Sequence, residues 1–251
     1  MPLNDNIVGA WIPGKSGTGQ LHLDQSGYGT HLQWVSPTAN YWEANQAGWT
    51  PRTRATSDYL TASRAIPVTV SRWSVVHWVR LNSRNDGNYP NSMDGNFSTN
   101  SNVGPRLELT ASAAWVYSAG TGLVGISGGT TIANGVWACY VITHDGNVTA
   151  KTYTQGIPTG AVQSNFSGAT GAFTGRFTNV NLGRGFNTGR QIDGLIGGTV
   201  IFGRQLSDSE VWQIWLSGPS CDWVVRRRRR EFGFVAPTGV RRRRILCGDY
   251  S

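Results

Sequence analysis

An all-β fold is what this sequence predicts, and three observations carry the prediction. Only 14% of the 251 residues are charged while Gly reaches 33, a balance that disfavours long helices. Eleven Trp and a hydrophobic fraction of 39% supply ample core. Apolar runs of five to ten residues recur between clusters of Gly, Asn, Ser and Pro, the pattern of strands that cross a sheet and then reverse, as in a two-sheet antiparallel sandwich.

The elements follow in order. IVGAWIP opens the series, then GTHLQWV, DYLTAS and SRWSVVHWVRL. In the last of these, Trp73, Val75, His77 and Val79 share one face and Val76 and Trp78 the other, because successive strand side chains alternate. Apolar groups on both faces predict a central strand covered above and below, with His77 packed. RLELTAS, AAWVYSA, VWACYVITH and VTAKTYTQG come next. Between the last two, His144-Asp145-Gly146-Asn147 predicts a type I′ hairpin, since Asp-Gly accepts positive φ at both central positions. NVNLGRG and GLIGGTVIFGR close the strands. One helix is predicted: Ser207 and Glu210 form a capping box, Val211, Ile214 and Trp215 share a face, and Gly218-Pro219 ends it. Asp208 and Glu210 are assigned to capping.

The charge divides the chain. Of 22 basic residues, nine lie in two runs, Arg226, Arg227, Arg228, Arg229 and Arg230, then Arg241, Arg242, Arg243 and Arg244. Setting them aside leaves 13 Lys+Arg against 14 Asp+Glu, so the formal +8 belongs to an extension. The expected organisation is a near-neutral sandwich over residues 1–219 and an arginine-rich extension over 220–251. Phe232, Phe234, Val235, Val240, Ile245 and Leu246 interrupt the runs, which suits an arm that folds onto a polyanion. Arginine's planar fork of donors matches nucleic-acid phosphate and protein carboxylate alike.

No apolar stretch reaches the roughly 18–20 residues a membrane helix needs, and the N-terminus, MPLNDNIVGAW, has neither the basic nor the apolar region of a secretory leader. Cys139, inside VWACYVI, is expected to be a buried free thiol. Cys221 and Cys247 flank the arginine runs, and the sequence leaves their pairing open. The glycines of GKSGTG depart from a phosphate-loop spacing and read as a surface loop.

VGAWIP with LHLDQSGYGTHLQW, SDYLTAS, WSVVHWVRL, GVWACYVITHDGNVTAKTYTQGIPTG, and the closing VNLGRGFNTGRQIDGLIGGTVIFGRQLSDSEVWQIW together resemble the concanavalin A-like lectin/glucanase superfamily in its laminin-G-like form. The resemblance spans about residues 7–219 and implies a jelly roll of two curved antiparallel sheets. It also implies a place where many members hold calcium, near Asp24 and Asp193. Here the second segment reads Ile192-Asp193-Gly194 to Gly197-Gly198, with glycines where relatives often carry carboxylates. Calcium takes six to eight oxygen ligands, so two carboxylates make a sparse cage. The other reading is an Asx turn at Asp24 and a solvated strand end at Asp193. No other cofactor is expected.

Sugar rings stack on indole faces while polar groups set their orientation, and Trp34, Tyr41, Trp42 and Trp49 cluster in an Asn- and Gln-rich, loop-like stretch. These four are the expected carbohydrate contacts, with core filling as the alternative role. Hydrolysis of glycosidic bonds needs two carboxylates across the scissile bond. The Glu-x-Asp-x-x-Glu strand pattern of laminarinase-type relatives is missing, and Glu108 is a lone strand carboxylate. No Gly-x-Ser-x-Gly elbow accompanies His22, His31, His77 or His144. The leading expectation is a non-enzymatic virion structural protein, a capsid decoration or tail-associated subunit. It would be made in the host cytoplasm, anchored by its arginine tail to other virion proteins or nucleic acid, and would display a lectin-like domain to cell-surface glycan. A soluble lectin is the alternative, and a glycan hydrolase the least supported.

Overall fold

Alternation along the apolar runs sorts the side chains onto two faces, and a computed structural model shows how those faces are covered. It describes residues 3–14, 19–35, 42–54, 58–83, 91–96, 104–108, 115–119, 122–126, 133–146, 150–154, 157–158, 175–184 and 192–224. Tyr41, Cys247 and the nine arginines of the two runs lie outside these residues.

Two eight-stranded antiparallel sheets result. The first runs β14 (Ile157–Pro158), β13 (Ala150–Thr154), β12 (Trp137–His144), β7 (Trp73–Ser83), β16 (Asp193–Phe202), β5 (Gly48–Thr53) and β4 (Trp42–Asn45), with β1 (Ile7–Trp11) also paired to β16. The second runs β11 (Gly122–Ile126), β10 (Trp115–Ala119), β9 (Gly104–Glu108), β8 (Asn91–Asn96), β15 (Asn179–Leu182), β6 (Tyr59–Ala62), β3 (Leu32–Val35) and β2 (Leu21–His22). The expected jelly-roll sandwich is observed, and β7 is central, between β12 and β16.

Two apolar clusters fill it. Trp11, Leu32, Trp34, Leu60, Trp73, Val75, Val79, Phe177 and Ile196 belong to the first, in which the odd-numbered side chains of β7 meet residues of both sheets. Val76 and Trp78, on the opposite face of β7, join Cys139, Val141, Val200 and Phe202 in a second. Helix α1 (Asp208–Ser217) covers this outer cluster with Val211 and Ile214. Each fully buried large apolar side chain contributes roughly 1.5–3 kcal/mol, so the two-sided strand β7 is the best-anchored element by composition.

The helix begins as expected: Ser207 and Glu210 close a reciprocal capping box. Desolvation pulls the Glu210 carboxyl up, but bonds from Arg204 and Ser207 overcome it and hold the group at about 2. Asp208 does something else than cap. It receives Lys151 Nζ at 2.6 and 2.8 Å and the Tyr153 hydroxyl at 2.5 Å, tying α1 to β13.

The chain stays packed past the helix. Cys221 and Val224 are buried in the outer cluster and the Trp223 ring stacks on Phe202 at 6.0 Å. This return is possible because β16 carries a bulge at Gly197-Gly198. A methyl on Gly198 would stand 2.4 Å from Cys221 Sγ, while the Gly198 N–H donates to the Pro219 carbonyl at 2.8 Å. Cys139 is a buried free thiol, and Cys221 is buried and free among the described residues.

The hairpin after β12 is wider than Asp-Gly implies. The register pairs His144 with Ala150, so five residues connect the strands, not two. His144 Nδ1 accepts the Gly146 N–H at 3.0 Å, a side-chain bond in place of the backbone bond of a two-residue turn.

Candidate functional site

The stretch that reads as a loop in sequence is a hairpin. Trp42 pairs with Pro51 and Ala44 with Trp49, which puts both indoles and the small Ala44 on one face, since cross-strand partners point the same way. Asn45 shapes the turn: its Oδ1 accepts the Ala47 N–H at 2.9 Å, and Gly48 takes φ +104. Gly48 packs backbone to backbone on Gly14, and Gly14 N–H donates to the Trp49 carbonyl at 2.8 Å. A side chain at either glycine would push the hairpin off its support.

The two indoles differ in freedom. Trp42 is half-buried, donates Nε1–H to the Gly19 carbonyl at 2.9 Å and meets His22 edge-on at 5.3 Å. Trp49 is 57% exposed. Between them opens a groove of about 370 Å³ lined by Trp42, Glu43, Ala44, Trp49, Arg52 and Arg54.

Arg52 is locked. Its guanidinium donates to Glu43 at 2.9 Å and to Asp193 at 3.2 Å, and the Asn82 amide, turned with its oxygen toward Arg52, accepts at 2.8 and 2.9 Å. Arg54, just beyond β5, is exposed. Glu43, Arg52 and Arg54 were not legible as site residues, because their meaning depends on a hairpin that WEANQAGWTPRT, with Gly48 and Pro51 inside it, does not advertise.

Of the expected carbohydrate contacts, the structure brings Trp42 and Trp49 together and removes Trp34. Trp34 lies in β3, 4% exposed in the core between the sheets, where no face remains for a sugar ring. Its strand alternates Leu32 and Trp34 inward, which is why it belongs to the sandwich and not to the groove. Tyr41 lies outside the described residues.

The metal expectation does not fit the residues present. Asp24 accepts the N–H groups of Ala10, Ser26 and Thr30 and the Ser26 hydroxyl; the bond to the residue two ahead makes it an Asx turn. Asp193 is paired with Arg52. A carboxylate saturated by four donors and another neutralised by a guanidinium leave no cage for a hard cation. Among the described residues no three His, Cys, Asp or Glu converge.

The histidines do structural work. His77 is buried, its Nδ1 2.8 Å from Thr199 Oγ1, and desolvation takes its pKa down to about 3. His144 stacks flat on Trp73 at 5.2 Å and falls to about 4, driven by desolvation with Asp145 opposing.

The two-sheet antiparallel sandwich is the architecture of a concanavalin A-like, lectin-like domain. Residues 54–212 match a laminin-G family described as concanavalin A-like lectin/glucanases superfamily, and the chain belongs to that superfamily. Among solved structures it is similar to the binding domain of Paraclostridial Mosquitocidal Protein 1, with 16% identity, a TM-score of 0.68, and coverage of 86% of this chain and 53% of that one. It is also similar to domain 4 of AbnA, an extracellular arabinanase from Geobacillus stearothermophilus in complex with arabinotriose, with 15% identity, a TM-score of 0.61, and coverage of 83% and 97%. The botulinum neurotoxin serotype D binding domain shows 14% identity, a TM-score of 0.63, and coverage of 85% and 52%. The chain thus spans about half the length of the two toxin binding domains. At these identities the likeness is one of fold. No curated protein sequence matches the chain significantly.

Proposed function

We propose that the domain is a non-catalytic carbohydrate-binding module whose platform is Trp49, flanked by Trp42. The single observation that carries the reading is the exposed Trp49 indole in an open groove with the half-buried Trp42 indole. An exposed indole beside a second indole in a concave groove gives a face on which a sugar ring stacks, while neighbouring polar groups orient it. The arabinanase domain, solved with an arabino-oligosaccharide, supports the class. The lining of this groove supports a non-catalytic reading: its one carboxylate, Glu43, is held by Arg52, whereas glycoside hydrolysis uses two.

A glycan array tests this. Wild type should bind at least one oligosaccharide class, and Trp49→Ala should abolish the signal with an unchanged melting temperature. An array with no signal for folded wild-type protein overturns the reading.

Display on a virus particle is a second reading, favoured by the concentration of nine of 22 basic residues in the extension. The module would then be a capsid decoration or tail-associated subunit, held to virion proteins or nucleic acid by the two arginine runs. Replacing all nine arginines with Gln should abolish cosedimentation with particles or other polyanions and leave the melting temperature unchanged, since exposed ionic contacts contribute about 0–1 kcal/mol each. Association that survives the replacement and is insensitive to salt counts against it.

A further inference from the structure

We propose that the groove selects carboxylated sugars, with Arg54 as the residue that reads the carboxylate; this rests on the carbohydrate-binding reading above and deepens it. Six residues line the groove, and three of them are charged: Glu43, Arg52 and Arg54. Glu43 and Arg52 are joined at 2.9 Å, so the Arg52 charge is already answered by a carboxylate. Arg52 is further held from behind by Asp193 at 3.2 Å and by the Asn82 oxygen at 2.8 and 2.9 Å, which leaves it no fork to offer. Arg54 is the contrast. It is exposed, it lines the same groove, and among the described residues no carboxylate pairs with it.

The geometry suits an oligosaccharide that carries its charge a ring away from the one stacked on Trp49. Trp49 faces solvent across from the small Ala44, and Trp42 stands diagonal to it on the same face, a separation of about 7–8 Å between such diagonal positions. Arg54 lines the same groove five residues along from Trp49, about 17 Å at strand rise, so an oligosaccharide with one ring on Trp49 would bring a neighbouring ring's carboxylate to Arg54. A guanidinium matches a carboxylate bidentately, and such charge-assisted bonds are roughly twice as strong as neutral ones. A neutral hydroxymethyl in the same place would engage one donor at most and leave the charge unused.

The chemistry shared by uronic and nonulosonic acids is a carboxylate on a pyranose, and the test separates these sources. Wild type is first screened on an array printed with neutral, uronate-containing and nonulosonate-ended glycans. The strongest acidic ligand and its methyl ester are then titrated calorimetrically against wild type, Arg54→Gln, Arg54→Lys and Trp49→Ala. The acid should bind wild type about tenfold to a hundredfold more tightly than its ester, the span expected of one charge-assisted pair. Arg54→Gln should bring acid and ester to equal affinity. Arg54→Lys should retain part of the preference, and Trp49→Ala should weaken both ligands alike. Preference for the acid should also shrink with added salt. Equal binding of acid and ester by wild type, a preference that survives Arg54→Gln, or an array that lights only neutral glycans overturns the carboxylate assignment and leaves the carbohydrate-binding reading standing. Silence across the whole array overturns both.

Discussion

Trp34 and Trp49 are the same residue type in adjacent stretches of one sequence, and the fold gives them opposite work. Truncating Trp34 empties a packed site, so Trp34→Ala should destabilise by about 3–5 kcal/mol in chemical denaturation. Trp49→Ala removes an exposed ring and should stay within about 0.5 kcal/mol. Equal losses for both would place Trp49 in the core and remove the groove. The histidines set a second test at this scale. His77 and His144 have folded pKa values depressed to about 3 and about 4, so the folded state holds both neutral while the unfolded chain protonates them near 6.5. Their contribution is complete above about pH 6.5 and is lost as the pH falls toward 3–4, at up to about 1.4 kcal/mol per pH unit for each. Melting temperature measured across that window should fall on acidification. A flat profile between pH 6.5 and 4.5 would mean that neither imidazole is held neutral by the fold.

Legibility in the sequence depends on how local the cause is. The helix was readable because Ser207 and Glu210 bond each other within one turn, and Ser207→Ala should cost about 0.5–2 kcal/mol for that reason. Both faces of β7 were readable because period-two alternation needs no partner to be seen. The site was half readable: composition marked the aromatics, but whether a given indole is core or platform depends on which sheet edge its strand joins. Trp34 sits on β3 inside the second sheet, and Trp49 on the β4–β5 hairpin at the margin of the first. The β16 bulge was invisible for the same reason, since Gly197 and Gly198 are small to admit a segment more than twenty positions later. Gly198→Ala forces a methyl to 2.4 Å from Cys221 Sγ and should cost about 1–3 kcal/mol, as overpacking does. It should also make Cys221, whose thiol burial pushes up to about 12, react with a thiol probe in the native protein. A thiol that stays silent would show that the segment yields without detaching.

At the scale of the molecule, the first sheet is covered on both sides, by the second sheet and by α1 with residues up to Val224. The packed body therefore includes Cys221 and Val224, and a boundary is best probed by two truncations. A chain ending at Val224 should melt cooperatively, close to the full-length protein. One ending at Pro219 loses two buried side chains and the Trp223–Phe202 stack, and should melt several degrees lower. Matching melts for both would mean that the outer cluster closes without its final turn. Among the described residues no helix is long and apolar enough to cross a membrane.

The order of the first sheet also has a cost in time. The strand next to its centre, β16, pairs with β7 on one edge and with β5 and β1 on the other, yet it is the last of the named strands to be synthesised. A nascent chain emerges at about 5–20 residues per second, so for many seconds β1, β5 and β7 are on the ribosome's outer side with a bonding edge open and the apolar face of β7 uncovered. Loop closure over so long a separation is slow, in the millisecond-to-second range typical of β sandwiches, and open edges template association. A chain stopped at residue 191 should accumulate as aggregate, and adding back a peptide of residues 192–224 during refolding should recover soluble protein.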